Sequence, residues 1–154
     1  MSGEEIFSRY CPLVQDFIYA CGWQELRPVQ AEAGRVLFDT EDNLILSSDT
    51  ASGKTEAVFF PIITDMTESP ANSVEVLYIA PLKSLINDQF YRIETLLLDS
   101  GIPVHHWHGD VSQSHKKKLL EEPRGILQIT PESLESMLIN RASDIIRIFG
   151  GLKY

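Results

Sequence analysis

Long apolar runs are missing from this sequence, and none approaches the roughly 18 residues that a membrane-spanning helix needs. The N-terminus, MSGEEIFSRY, has no signal-peptide pattern. Cysteine is scarce: Cys11 and Cys21 stand alone, with neither a CxxC pair nor a disulfide framework around them. These absences argue against a membrane protein and against a disulfide-rich secreted protein. They predict a cytoplasmic protein with reduced thiols and no membrane partner.

Positive charge is also scarce, because 13 Lys and Arg residues face 22 Asp and Glu residues and leave a net charge of -9. Such a balance argues against a simple electrostatic nucleic-acid binder, which is normally basic. The hydrophobic share of 44% is ordinary for a soluble globular protein. A chain of 154 residues is long enough for one domain with a buried core.

Apolar runs typical of buried strands alternate with helical patterns along the chain. Strands are predicted at residues 44–46, 74–80, 104–108 and 125–129, with another beginning at Leu152. Helices are predicted at residues 4–20, 28–38, 82–98, 113–122 and 144–148, with others beginning near Gly53 and after Pro131. Pro61 is expected to kink or shorten the helix that begins near Gly53. The alternation implies parallel strands with right-handed crossovers, and therefore an α/β fold with a parallel sheet flanked by helices.

The strongest local signal is the octapeptide SDTASGKT at residues 48–55, which lies between a predicted strand and a predicted helix. Small residues let backbone N–H groups converge on phosphate oxygens, and a helix N-terminus adds partial positive charge. Lys54 can reach the β and γ phosphates, and the Thr55 hydroxyl can ligate Mg²⁺. A strict phosphate loop begins with glycine, where this one has Ser48. The alternative, a Gly-Lys-Thr that merely caps a helix, does not account for the strand–loop–helix context.

Further short stretches occur in order, each of them weak alone: GWQELRPVQ at residues 22–30, PLKSLINDQ at 81–89, HGD at 108–110 and TPESL at 130–134. With the phosphate loop, they resemble the motifs of superfamily 2 helicases of the DExH/DEAD type. The matched motifs are the glutamine motif, motif Ia, a glycine-bearing turn and motif Ib. Arg27-Pro28 and Pro81-Leu82-Lys83 bring the wording closest to large helicase-related and RecQ-like DNA helicases. The resemblance runs from about residue 22 to residue 138.

This resemblance implies a RecA-like P-loop NTPase fold that is incomplete at its C-terminus. It implies a partial ATP-binding domain over residues 1–154, in which helices within residues 1–40 carry the glutamine motif. Gln30 would read the adenine edge through an amide that both donates and accepts. The implied cofactors are ATP and Mg²⁺, with Lys54 and Thr55 as catalytic residues and Thr55 as the metal ligand. The implied nucleotide-binding residues are Arg27, Gln30, Thr50, Ala51, Ser52, Gly53, Lys54 and Thr55.

Nucleic acid is the partner that the resemblance implies, with single-stranded DNA favoured over RNA, together with a second RecA-like domain of the same protein. Such helicases grip one strand largely through hydroxyls and backbone N–H groups, so the net negative charge does not contradict this partner. The implied nucleic-acid contacts are Pro81, Lys83, Ser84, Gly109, Thr130, Pro131 and Glu132.

The DExH or DExD sequence that supplies the carboxylates for hydrolysis in these helicases is not found within the 154 residues. We therefore expect this chain to bind ATP or ADP without hydrolysing it, and the full-length protein to be an ATP-dependent helicase. The strand at residues 44–46 would lack one neighbour, so the chain is expected to self-associate through an exposed sheet edge. An RNA helicase domain and a non-catalytic ATP-binding module remain alternatives. A P-loop kinase or GTPase would leave Gln30 and motifs Ia and Ib unexplained.

Two clusters of chemically active side chains receive a structural interpretation. His106 and His108 should share one face of a strand and His105 the other, which makes a poor zinc site without a third ligand. Ordinary packing is therefore the preferred interpretation. The lysine run at residues 116–118 is interpreted as a solvated helix face rather than a contact to nucleic acid.

Overall fold

The computed structural model describes residues 2–49, 52–98 and 100–154. The chain forms two compact units, Met1–Pro70 and Ala71–Tyr154, which we call the N-terminal and C-terminal units. The expected assignment of the chain to one partial domain stays a prediction. Across the described residues, none of the helices is long and apolar enough to cross a membrane.

The N-terminal unit is helical. Its helices are α1 (Gly3–Arg9), α2 (Pro12–Ala20), α3 (Pro28–Asp39) and α4 (Lys54–Glu68). The prediction of one continuous helix over residues 4–20 is wrong, because the chain breaks between α1 and α2. Pro12 disfavours helical geometry in the preceding residue, and Cys11 is extended with φ −61° and ψ 156°. Gly22 follows α2 with a positive φ of 71°, as the predicted helix stop requires.

Helix α4 runs for 15 residues with Pro61 inside it. Of the two expected effects of this proline, a kink or a shorter helix, the shortening does not occur. Proline has no N–H to donate to the carbonyl of Ala57, four residues earlier. Buried apolar side chains on both sides of the proline, including Phe60 and Ile63, offset that loss. The buried Thr64 hydroxyl also ties α4 to the start of α2, because it accepts a hydrogen bond from the Cys11 N–H at 3.1 Å.

The predicted strand at residues 44–46 is wrong, since the described residues 40–49 contain no strand and Ile45 is 93% exposed. A strand is stable only when its backbone groups find partners on a neighbouring strand. An apolar run alone therefore does not secure one. The exposed sheet edge predicted here is not formed, and self-association through it has no support in this structure.

The C-terminal unit is an α/β layer structure, which confirms the predicted fold class. Its elements are β1 (Val74–Ile79), α5 (Lys83–Leu96), β2 (Val104–Trp107), α6 (Gln113–Glu121), β3 (Gly125–Ile129), α7 (Pro131–Asn140), a 3-10 turn (Ala142–Asp144) and α8 (Ile145–Phe149). The described strands form a parallel sheet in the order β1-β3-β2. In the register of this sheet, Leu127 lies between Leu77 and His105.

One face of the sheet holds the main apolar core of this unit. Leu127 and Ile129 of β3 are fully buried there, and α6, α7 and α8 contribute Leu119, Met137 and Ile148. The C-terminal residues continue the sheet on the free edge of β1: the Lys153 and Tyr154 N–H groups both donate to the Glu75 carbonyl, and the Leu77 N–H donates to the Tyr154 carbonyl. These bonds agree with the prediction of strand-like backbone from Leu152, although the pairing is too short to form a regular strand.

Candidate functional site

The phosphate loop of the N-terminal unit ends at a glycine that opens α4. Gly53 has φ 86° and ψ 27°, a left-handed conformation that glycine adopts without steric cost. Lys54 and Thr55 are the first two helical residues, so they lie where backbone N–H groups have no partner inside the helix. This placement is the one that phosphate recognition at a helix start requires. The predicted ligands Thr50 and Ala51 lie outside the described residues.

Lys54 is held by the loop itself. Its Nζ donates to the Ser48 and Asp49 carbonyl oxygens, each at 2.6 Å, and the Ser48 and Ser52 hydroxyls are 2.6 Å apart. The ammonium group thus binds two backbone oxygen atoms of its own loop. Phosphate oxygens carry more negative charge than carbonyl oxygens, so they can replace both contacts with charge-assisted hydrogen bonds.

Gln30 lies directly beside this loop. Its side chain is fully buried, and its Oε1 accepts the Arg27 N–H at 2.9 Å. Its Nε2 has no hydrogen-bond partner in the described part of the chain. A Cβ atom on Gly53 would lie 2.7 Å from that Nε2 and 3.5 Å from Cδ of Arg27. The fold therefore brings the predicted glutamine motif against the phosphate loop, with one amide donor available to a ligand.

These residues fit a nucleotide, because a buried unpaired amide donor and a close glycine approach are both present at the loop. For Mg²⁺ they supply one hard oxygen, the hydroxyl of the half-buried Thr55. No group of three or more His, Cys, Asp or Glu residues suited to a metal occurs among residues 2–49, 52–98 and 100–154. Mg²⁺ usually binds through few protein oxygens plus phosphates and waters, so Thr55 fits this ion only alongside a nucleotide.

The C-terminal unit carries a separate cleft of about 500 Å³, which we call the Lys83 cleft. It lies where the chain leaves the carboxyl ends of β1, β2 and β3, the position at which parallel α/β sheets bind ligands. The lining residues are Pro81, Lys83, Trp107, Gly109, Lys116, Thr130, Glu132, Ser133 and Ser136. The predicted nucleic-acid contacts thus converge here, apart from Ser84 and Pro131, which do not line the cleft. The predicted contacts did not include four residues that line the cleft: Trp107, Lys116, Ser133 and Ser136.

The ammonium group of Lys83 forms an exposed salt bridge with Asp110. Its Nζ lies 2.9 Å from Oδ2 of Asp110, and this contact lowers the pKa of that carboxyl. A Cβ atom on Gly109 would lie 3.5 Å from the same Nζ, an ordinary van der Waals distance, so Gly109 lies directly beside the lysine head group. An incoming phosphate must compete with Asp110 for this cation.

Thr130 and Ser133 mark the start of α7 at the other side of the cleft. Thr130 is the N-cap residue, and its Oγ1 donates to Oγ of Ser133 at 2.9 Å. A helix N-terminus with hydroxyls beside it suits a phosphate oxygen, as in the motif Ib interpretation. Glu132 in the first turn also lines the cleft and adds a negative charge to it.

The histidines pack against rings and an amide, as the structural interpretation predicts. His106 stacks on Phe90 at 4.2 Å between ring centroids, and the His106 and His108 rings share one side at 5.7 Å. His108 Nε2 donates to Oδ1 of Asn87 at 3.0 Å. Burial lowers the pKa of His106 and of His108, which favours neutral rings near pH 7.

A parallel α/β sheet in one unit and a Gly-Lys-Thr loop at a helix start in the other are features of the RecA-like P-loop NTPase fold. The family model described as DEAD/DEAH box helicase matches residues 27–154. The chain therefore belongs to the DEAD/DEAH box helicase family, as its motifs predict.

Similar proteins include the DExH-box ATP-dependent RNA helicase DExH12 of Arabidopsis thaliana, which is 32% identical over 81% of this chain. The structure of the Mycobacterium smegmatis helicase Lhr bound to ssDNA and AMP-PNP matches 89% of the chain with a TM-score of 0.72 and 26% identity. The DUF1998 helicase MrfA bound to DNA matches 94% with a TM-score of 0.80 and 20% identity, which supports the fold. The chain spans 5%, 19% and 20% of these proteins respectively.

Proposed function

We propose that this chain binds ATP through the loop at residues 48–55 and Gln30, as the nucleotide-binding part of an ATP-dependent nucleic-acid helicase or translocase. The observation that carries the proposal is the close approach of the buried Gln30 amide to Gly53, where an added Cβ atom would lie 2.7 Å from Nε2. It joins a phosphate-binding element to a base-reading element within the N-terminal unit. The AMP-PNP in the similar Lhr structure supports the same ligand class.

The state of the Gln30 amide favours adenine over guanine. Its Nε2 is available to donate to N7 of a purine, and its Oε1 keeps a second lone pair beyond the one that accepts the Arg27 N–H. Adenine presents an amino group that can donate to that oxygen. Guanine presents a carbonyl oxygen at the same position, which would face Oε1 with no proton between them. Adenine nucleotides should therefore bind more tightly than guanine nucleotides.

Titration calorimetry of the 154-residue protein tests this proposal. ATP and ADP are expected to bind and GTP to bind at least about tenfold more weakly, since one unsatisfied polar contact costs about 1–3 kcal/mol. Removal of Mg²⁺ should weaken ATP more than ADP, because Thr55 and the terminal phosphates share the ion. The Lys54→Ala variant should lose about 10- to 100-fold in ATP affinity, the value of a hydrogen-bonded charge.

Lys117→Ala provides the matched control, because it removes an equal charge from an exposed lysine of the other unit. Its ATP affinity should equal that of the wild type. Equal loss in the two variants, or equal affinity of the wild type for ATP and GTP, would contradict the assignment of the loop and of Gln30.

For the Lys83 cleft we propose a single strand of nucleic acid, with DNA favoured over RNA. The lining includes two lysines, backbone turns and hydroxyls, which contact phosphates and sugars rather than base edges. The similar Lhr structure contains ssDNA, whereas the Arabidopsis relative is named as an RNA helicase. DNA is favoured because the motifs at residues 22–30 and 81–89 resemble those of DNA helicases most closely.

Fluorescence anisotropy with labelled oligomers of equal length and sequence measures this preference. We expect single-stranded DNA to bind at least as tightly as the matching RNA at the same salt concentration. Tighter binding of RNA would show that a 2′-hydroxyl contributes to recognition and would favour the RNA helicase alternative.

We propose further that, in the whole protein, a second RecA-like domain acts together with this chain. ATP binding would close the two domains on the strand, and hydrolysis would reopen them. We propose the cytoplasm as the location, consistent with the unpaired cysteines Cys11 and Cys21.

A further inference from the structure

Helix α6 carries three consecutive lysines whose surroundings differ sharply. Successive residues of an α-helix point about 100° apart, so a run of three cannot share one environment. Lys116 is half-buried and lines the Lys83 cleft, whereas Lys117 is exposed and pairs with Glu121 at 3.4 Å. Lys118 is exposed beside a different groove that contains His105 and His106. Only the first lysine of the run therefore presents its charge to the proposed strand site.

Trp107 positions the Lys116 ammonium group. Trp107 is the last residue of β2, and only 8% of it is exposed, so its ring is fixed by the core. Nζ of Lys116 lies 5.6 Å from the ring centroid, within the range of a cation–π contact. Arg141 also approaches this ring at 5.9 Å, but its guanidinium lies 4.0 Å from Asp144.

Lys116 and Lys83 differ in whether a carboxylate pairs with their ammonium group. The Lys83 ammonium is engaged by Asp110 at 2.9 Å. In the described part of the chain, Lys116 forms no salt bridge with a carboxylate. It lies over the neutral Trp107 ring, and its charge acts on Asp110 only from beyond salt-bridge distance. A phosphate can approach Lys116 without breaking a salt bridge, whereas at Lys83 it must replace Asp110.

We propose that Lys116, positioned by Trp107, is an additional phosphate-contacting residue of the Lys83 cleft. This inference rests on the proposed nucleic-acid function, and it replaces the solvated-face interpretation for the first lysine of the run. Lys116 supplies a positive charge of the cleft that is not held in a salt bridge among the described residues, and Trp107 acts as a positioning residue that keeps the lysine stem against the cleft wall.

The salt dependence of single-stranded DNA binding tests the inference, with anisotropy titrations of the wild type, Lys116→Gln, Lys117→Gln and Lys116→Arg. Each phosphate contact to a single strand contributes about 0.7 to the slope of log affinity against log salt. We expect Lys116→Gln to lower that slope by about 0.7 and to weaken binding about three- to tenfold at moderate salt. Lys117→Gln should leave the slope unchanged, and Lys116→Arg should restore it.

A second neutral variant, Lys116→Met, keeps an apolar stem over Trp107 and separates lost charge from lost packing. It should give the same slope as Lys116→Gln, with a melting temperature equal to that of the wild type. Equal slopes for Lys116→Gln and Lys117→Gln, with a wild type that binds DNA, would overturn the Lys116 assignment alone. A folded wild type that binds no strand at all would overturn the proposed nucleic-acid function and this inference with it.

Discussion

Gly53→Ala is expected to abolish measurable ATP binding while the protein stays folded. The left-handed backbone at Gly53 costs a residue with a Cβ atom about 1–2 kcal/mol. The new methyl would also lie 2.7 Å from Nε2 of Gln30, so it must displace the buried amide that is proposed to read the base. Loss of loop geometry and of the amide contact together should weaken binding by more than about 100-fold, or about 3 kcal/mol. Titration calorimetry with ATP measures the effect.

The control for Gly53→Ala is Gly101→Ala. Gly101 also has a positive φ, of 72°, but an added Cβ there would meet no atom within 4 Å. This variant carries the same kind of backbone strain without touching the loop, so its ATP affinity should match the wild type. Retention of ATP affinity in Gly53→Ala to within about threefold would show that the contact between Gly53 and Gln30 does not form the base site.

Gly125→Ala is expected to destabilise the C-terminal unit strongly. Gly125 has φ 81°, and an added Cβ would overlap the backbone carbonyl oxygen of Pro103. The same carbonyl accepts the Ile126 N–H at 3.0 Å at the beginning of the β2–β3 pairing. Relief of the overlap must therefore move the strand start. Backbone strain of about 1–2 kcal/mol plus overpacking of about 1–3 kcal/mol gives an expected loss of about 2–5 kcal/mol in the free energy of unfolding.

Urea denaturation followed by circular dichroism measures this loss, and Gly101→Ala again separates strain from collision. Gly101 shares the positive φ but has open space around it, so its loss should stay near the strain value of about 1–2 kcal/mol. Equal destabilisation of the two variants would mean that the strand start shifts freely and that the overlap with Pro103 carries no cost.

The order of elements in the C-terminal unit could be predicted well, because its boundaries are marked by residues with local effects. The predicted strand at residues 125–129 coincides with β3, which begins at a glycine that needs a positive φ. Pro131 follows that strand and opens α7, since proline suits a first helical turn. Signals of this kind act within a few residues and need no tertiary context.

The prediction at residues 44–46 was wrong for the opposite reason. An apolar run is compatible with a strand, but whether it forms one depends on hydrogen-bond partners far away in sequence. The error at Cys11 had another cause: Pro12 marked the break between α1 and α2, and helical spacing of apolar residues masked it.

For the candidate sites, motif spacing identified the residues but not the hydrogen-bond and salt-bridge partners of their side chains. Lys54 was predicted as a phosphate ligand, yet its hydrogen bonds to the Ser48 and Asp49 carbonyls depend on the conformation of the loop. The pairing of Lys83 with Asp110 joins residues 27 positions apart and could not be seen in either motif alone. Trp107 was missed because a strand-end aromatic residue is usually core, and here it is core and cleft wall together.

Pro61 removes one backbone hydrogen bond from the interior of the continuous helix α4. The Ala57 carbonyl has no N–H to accept from residue 61, so the first turn, which carries Lys54 and Thr55, is bound to the rest of the helix by one hydrogen bond fewer than usual. The part beyond the proline is anchored by buried side chains such as Ile63. Side-chain packing thus keeps the first turn in line with the rest of the helix, since Phe60 before the proline and Ile63 after it are both buried.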